Sequence, residues 1–173
     1  SLQIDGQQIA FPNWDTNGNL WLKRQRAEVA DEDSVSVQVY RVLEDGIPIW
    51  LRTQIELTVS GKSREVDLGW VLPQDWLLAS VESPSPVAVD DVGRMKAQVR
   101  AGKWSIRTHA FRTDNPQEFA YATDAEPITN LELVGFKPRP EFRLAELEGV
   151  QPVDVAQTTF PSDWRSLTVY QWQ

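Results

Sequence analysis

The stretch "RMKAQVRAGKWSIRTHAFR", residues 94–112, holds six of the seventeen basic residues and the single histidine, His109, with no acid among them. In a chain of net charge −8, this is the first place to look for chemistry. His109 acting as a general base would need a serine on a sharp strand-to-helix turn, and the sequence contains no such elbow. It falls instead in a run that alternates like a strand, which reads as a solvent-facing strand histidine. The cations can bind an anion or pair with acids, and geometry decides between the two.

Three other spacings imitate active motifs. "SGKSREV" carries the Gly-Lys-Ser of a phosphate loop, but Glu56 stands where the first glycine is required, and a strand pattern follows where a helix should. "DTNGN" sets Asp15, Asn17 and Asn19 at alternate positions like the opening of a calcium loop, with its glycine misplaced and no closing glutamate. It reads as a turn. With no cysteine and one histidine, thiolate catalysis, disulfides and histidine- or cysteine-rich metal sites are excluded. Carboxylates number twenty-five, too many for any pair to single itself out as the two acids a glycosidase needs. No catalytic residue, metal or cofactor is assigned.

The eight tryptophans divide by context. Trp104 is in phase with Ile106 and reads as core, whereas Trp14, Trp70, Trp76 and Trp164 stand beside turns or prolines. Aromatics at such positions either pack under loops or form a platform on which sugar rings stack.

These residues must be positioned by strands. Period-two alternation and turn dipeptides run through nearly the whole chain, and no long stretch keeps a 3.6-residue apolar period. Asp5-Gly6 and Asn17-Gly18 are tight-turn pairs near the start. Val35, Val37 and Val39 alternate with polar residues, Asp45-Gly46 turns, Ile55, Leu57 and Val59 alternate again, and residues 60–63 lead to a strand over 64–70. This block predicts a three-strand meander, with Pro48 making the return strand irregular at its start or an edge. Pro84 and Pro86 mark a connection between sheet elements. Further strands are expected over 128–136 and 142–147, and one helical turn over 162–166.

For residues 94–112, a two-residue turn at Ala101-Gly102 pairs Val99 with Trp104, Ala97 with Ile106 and Met95 with Thr108, which gives an apolar inner face. Arg100, Lys103, Gln98, Ser105, Lys96, Arg107, Arg94 and His109 then share the outer face as a basic stripe. Like charges directly opposite cost up to about 1 kcal/mol per pair, so the stripe needs partners. Glu56, Glu65, Asp67 and Glu132 are the candidates within the chain; an anionic glycan, a lipid head group or an acidic protein are those outside it.

At 173 residues, 41% hydrophobic and 24% charged, the chain suits one β-sandwich domain over 1–173 with a sizeable core. The acidic balance argues against nucleic acid as a partner. No apolar run approaches the roughly 18 residues of a membrane span, so direct membrane insertion is not expected. Starting at Ser1 without a methionine or signal peptide, and stopping within a strand-like run, the chain reads as a segment of a longer multidomain protein.

The run "DSVSVQVYRVLEDGIPIWLRTQIELTVSGKSREVDLG", followed by "VRAGKWSI" and "FPSDWRSL", resembles a segment of large uncharacterised envelope-associated proteins of Gram-negative bacteria over most of the chain. That resemblance implies a periplasmic or extracellular setting, membrane association through a parent protein, and other domains of that parent as partners. It carries over no site residues. "RAGKW" also resembles the arginine-x-glycine-x-aromatic turn of small immunoglobulin-like accessory domains. The expectation is an all-β antiparallel sandwich, immunoglobulin-like or jelly-roll, with little helix. Its expected role is non-catalytic binding, with polysaccharide as the first ligand class and Arg94, Lys96, Arg107, His109, Trp14, Trp70 and Trp76 as candidate contacts. The alternatives are docking of an acidic neighbouring domain through the basic stripe and, more weakly, polysaccharide hydrolysis.

Overall fold

A computed structural model describes residues 33–114, 116, 132–141, 144 and 148–172, together with strand backbone at 2–4, 7–9, 13–14 and 20–21. The chain divides into two compact units, Ser1–Asp31 and Glu32–Gln173. In the first, β1 (Leu2–Ile4) pairs antiparallel with β2 (Gln7–Ile9), and β3 (Asn13–Trp14) with β4 (Leu20–Trp21). The two expected turns of this unit, Asp5-Gly6 and Asn17-Gly18, lie outside the described residues.

The second unit holds β5 (Ser34–Glu44), β6 (Ile49–Ser60), β7 (Arg64–Trp70), β8 (Leu77–Glu82), β9 (Val87–Val89), β10 (Arg94–Val99), β11 (Gly102–Arg112), β12 (Glu132–Lys137), β13 (Gln151–Val153) and β14 (Thr168–Trp172). Among the described residues, helix is confined to single 3-10 turns at Val155–Gln157 and Ser162–Trp164. No helix among the described residues is long and apolar enough to cross a membrane. Seven strands form one sheet in the order β13-β14-β12-β5-β6-β11-β8, and three form a second, β7-β10-β9. Among the described residues, pairing is antiparallel except between β12 and β5, which run parallel with Glu132 opposite Val39.

The sheets are joined face to face by one apolar cluster. Val39, Ile55, Leu57, Val59 and Ile106 come from the larger sheet, and Leu68, Val71, Met95, Ala97 and Val99 from the side of the smaller. Interdigitation of this kind between two inner faces makes a β-sandwich. A guanidinium crosses the same core. Arg41 is 1% exposed on the inner face of β5; its Nε donates to Glu132 Oε1, and its NH1 to Thr53 Oγ1 at 3.0 Å and to the Val71 carbonyl at 2.8 Å. Thr53 and Glu132 belong to the larger sheet and Val71 directly follows β7, so one side chain ties the two sheets together.

Alternation explains β5 as far as Gln38, after which Tyr40, Arg41 and Val42 are buried on both faces. The outer face there is covered by the segment before β14. Phe160 packs on Tyr40, Val42, Leu133 and Val169, with Trp164 and Leu167 beside it. Gly135 leaves the room: a Cβ there would lie 3.1 Å from Phe160 Cζ and 3.3 Å from Leu167 Cδ1.

Two expected pairings are corrected. The strand predicted over 64–70 forms with those bounds, but it pairs with β10 in the smaller sheet, so β5, β6 and β7 are not a meander. The hairpin at Ala101-Gly102 does not form either. Along its whole length β11 is paired with β6 on one side, and over 107–111 with β8 on the other, while β10 lies between β7 and β9. Residues 100–101 are a corner at which the chain changes sheets. The inward set nevertheless holds, since Met95, Ala97, Val99 and Ile106 are buried and Trp104 packs against them. Alternation reports which face a strand buries; it is blind to which neighbour accepts its hydrogen bonds. Of the later strands expected, residues 132–136 lie within β12, while 128–131 and most of 142–147 are outside the described residues. Pro48, in a cis peptide after Ile47, sits just ahead of β6, an interior strand.

Candidate functional site

Because β10 and β11 belong to different sheets, the basic stretch is divided between two opposite outer surfaces. On the smaller sheet Arg94 lies over the Trp70 ring, 4.4 Å from its centroid, and donates to Asp67 Oδ2 at 2.9 Å. Lys96 Nζ is 3.7 Å from Glu65 Oε1, and Gln98 donates to Glu65 at 3.0 Å. The Gly69 backbone N–H and then Arg94 hold the Asp67 carboxyl below its usual range. Glu65 and Asp67, two of the four acids named from sequence, do compensate this surface. Glu132 is committed to Arg41 instead, and Glu56 accepts from Gln54 at 2.6 Å. Trp70 is covered by Arg94, and Trp76, expected beside a turn, is buried at 8% exposure against Ile49, Leu51 and Ala110. Neither offers a free stacking face. Trp14 stands in β3 opposite Leu20, and its side chain lies outside the description.

Arg107 and His109 face outward from the larger sheet, and the register places them in rows. The row at one end runs Glu44, Trp50, Phe111, Leu77 across β5, β6, β11 and β8. Val42, Arg52, His109 and Ser80 form the next row, and Tyr40, Gln54, Arg107 and Glu82 the one after. Trp50 and Phe111 are half-buried with ring centroids 5.4 Å apart at 46°, and Leu77 is 55% exposed at the edge strand. Aromatic rows beside polar rows have the composition of a surface that takes an amphipathic ring.

The polar rows are organised by their own contacts. Arg52 donates to Glu44 Oε2 at 3.2 Å, and Lys137 approaches Glu44 Oε1 at 3.5 Å. Arg107 Nε donates to Gln54 Oε1 at 3.0 Å, and its NH2 lies 3.9 Å from Asp163. Asp163 belongs to the segment carrying Phe160, which therefore walls the β5 side of this partly exposed face. The Tyr40 hydroxyl anchors that wall through a 2.7 Å hydrogen bond with the Thr159 hydroxyl.

Trp50, Arg52, Gln54 and Phe111 were not singled out from sequence, although a signal for them existed. Ile49, Leu51, Ile55 and Leu57 set the inward phase of β6, and Trp50 is a large aromatic out of that phase. Phe111 stands in the same relation to Ala110.

The phosphate-loop look-alike is a sheet corner. Gly61 adopts φ +81°, where a side chain is strained, and the Asp33 carboxylate caps the turn by accepting from Lys62 N at 2.8 Å. Arg64 spans the corner with donations to the Ser60 and Lys62 carbonyls and, across to β5, to Ser34. Among the described residues no three His, Asp or Glu side chains converge as a metal site would require. Comparison with protein-family models, with curated proteins and with solved structures gives no match.

Proposed function

We propose that the sandwich is a non-catalytic binding module for carbohydrate, carried by a multidomain parent outside the cytoplasm, with the partly exposed outer face of β6, β11 and β8 as its binding face. The observation that carries this reading is the Trp50–Phe111 pair, on the same face and one row away from Arg52 and His109. Stacking supplies contact area at small entropic cost, while adjacent donors and acceptors orient the sugar hydroxyls. The extracytoplasmic setting rests on the resemblance to envelope-associated segments.

Hydrolysis is disfavoured by how the acids on this face are held. Glu44 receives Arg52 and Lys137, Glu56 receives Gln54, and Asp163 faces Arg107. A glycosidase needs two carboxyls free to flank the scissile bond, and each of these three sits beside a protein donor or cation. Docking of an acidic neighbour through a basic stripe loses its main support, because the stripe is split between two surfaces.

A glycan array probed with the whole chain and with Trp50→Ala tests the reading. Retention on a subset of glycans that is lost in the variant is the expected result. An array blank at millimolar sugar would sink it.

A further inference from the structure

The binding face can be asked which kind of glycan it would take, and charge decides. Resting on the carbohydrate reading above, we infer that this face selects an uncharged glycan over an acidic one.

The basic stretch first suggests an anionic ligand, but the register removes that advantage. The outward cations of β6 and β11 are Arg52, Lys103 and Arg107, with His109 between the two arginines. On the same rows and the adjoining wall stand Glu44, Glu56, Glu82 and Asp163. Arg52 is already shared with Glu44, and Arg107 is hydrogen-bonded to Gln54 and faces Asp163. A uronate or sulfate would have to share these guanidiniums with Glu44 and Gln54 and lie beside the carboxylates of Glu44 and Asp163, whose charge opposes it. It would do so on a chain whose net charge of −8 repels polyanions at long range.

An uncharged sugar meets no such opposition. Each of its hydroxyls donates once and accepts twice, so a surface of neighbouring donors and acceptors suits it better than a surface of donors alone. Arg52 and Arg107 supply donors, and Glu44, Glu56 and Asp163 acceptors. Trp50, Phe111 and Leu77 add an apolar row crossing three strands, about 10 Å from β6 to β8 and thus the reach of a disaccharide. Salt leaves hydroxyl contacts and stacking nearly unaffected, whereas it screens an ionic ligand strongly.

The experiment titrates the whole chain by calorimetry with three probes: a cello-oligosaccharide, a manno-oligosaccharide and an oligogalacturonate of matched length, in low salt and in about 1 M NaCl. Binding of a neutral oligomer with an affinity that changes less than about twofold between the salts is expected. Trp50→Ala should weaken that binding about tenfold. Phe111→Leu, which keeps an apolar residue beneath the face, should weaken it less, and an unchanged circular dichroism spectrum separates lost stacking from lost fold.

Tighter binding of the oligogalacturonate, abolished by salt and by Arg107→Gln, would overturn the inference and leave the carbohydrate reading standing. Failure of all three probes, in a chain also blank on the glycan array, would overturn both.

Discussion

Replacing Arg41 by methionine removes the one side chain that donates to Glu132, to Thr53 and to the Val71 carbonyl from inside the sandwich. Breaking a buried ion pair by deleting one partner costs about 3–5 kcal/mol, because the other charge is left without compensation. Here the lower end applies. The Glu132 side chain retains 14% of its exposure and can partly rehydrate, while the Val71 carbonyl and the Thr53 hydroxyl lose a donor in a dry setting. We expect a loss of about 3 kcal/mol, which at a urea m-value of about 2 kcal/mol/M moves the unfolding midpoint down by about 1.5 M. Equilibrium urea unfolding followed by tryptophan fluorescence is the assay. Arg41→Lys should fall between parent and methionine variant, since an ammonium keeps the charge but lacks the planar fork that serves separate acceptors. Pairing Arg41→Met with Glu132→Leu should recover at least half of the loss, because the orphaned carboxylate goes too. A methionine variant within about 1 kcal/mol of the parent, or a double variant worse than the single, would refute the argument that this guanidinium ties the sheets.

Gly135→Ala should cost about 1–3 kcal/mol in the same assay, since its Cβ would press on Phe160, Leu167 and Val42; a neutral result would mean that the covering segment yields freely. The Asp67 carboxyl is held below its usual range by the Gly69 N–H and Arg94, so its stabilisation is present at neutral pH and fades as pH falls below about 4. Asp67→Asn should accordingly narrow its thermal gap to the parent between about pH 6 and pH 3; a gap that widens on acidification would contradict this. Removing charge at Arg94 and Lys96 should shift stability by no more than about 1 kcal/mol and leave glycan binding intact, because both ion pairs are exposed and lie on the other sheet. Gly61→Ala should destabilise the β6–β7 corner, since φ there is +81° and a Cβ would lie 2.9 Å from the Asp33 Cα; thermal unfolding indistinguishable from the parent would count against that clash.

Local chemistry is legible in this chain wherever one residue answers to its immediate neighbours. The alternation of Val35, Val37 and Val39 and of Ile55, Leu57 and Val59 settles an all-β chain, because a strand turns successive side chains to opposite faces. The inward set Met95, Ala97, Val99 and Ile106 follows from the same rule, as do the bounds of the strand over 64–70; the short helical turn at Ser162 was expected separately and forms over Ser162–Trp164. Even the compensation of Arg94 and Lys96 by Asp67 and Glu65 was within reach, from the cost of like charges on one surface.

Partnership was decided by the tertiary structure. Nothing local distinguishes a hairpin at Ala101-Gly102 from a corner between sheets, since both turn Val99 and Trp104 inward while exposing Arg100 and Lys103. Only the packing of β6 and β8 on both sides of β11 excludes β10. That choice sends Arg94 and Lys96 to one surface and Arg107 and His109 to another, and it brings Trp50 beside Phe111, 61 positions later in the chain. It also puts Arg41, which an alternation pattern would leave as an oddity, where three acceptors from distant segments converge. Hydrogen bonds between strands are made by backbone groups that every residue shares, so the sequence determines which faces are hidden, and the competition among all strands for edges determines which side chains meet.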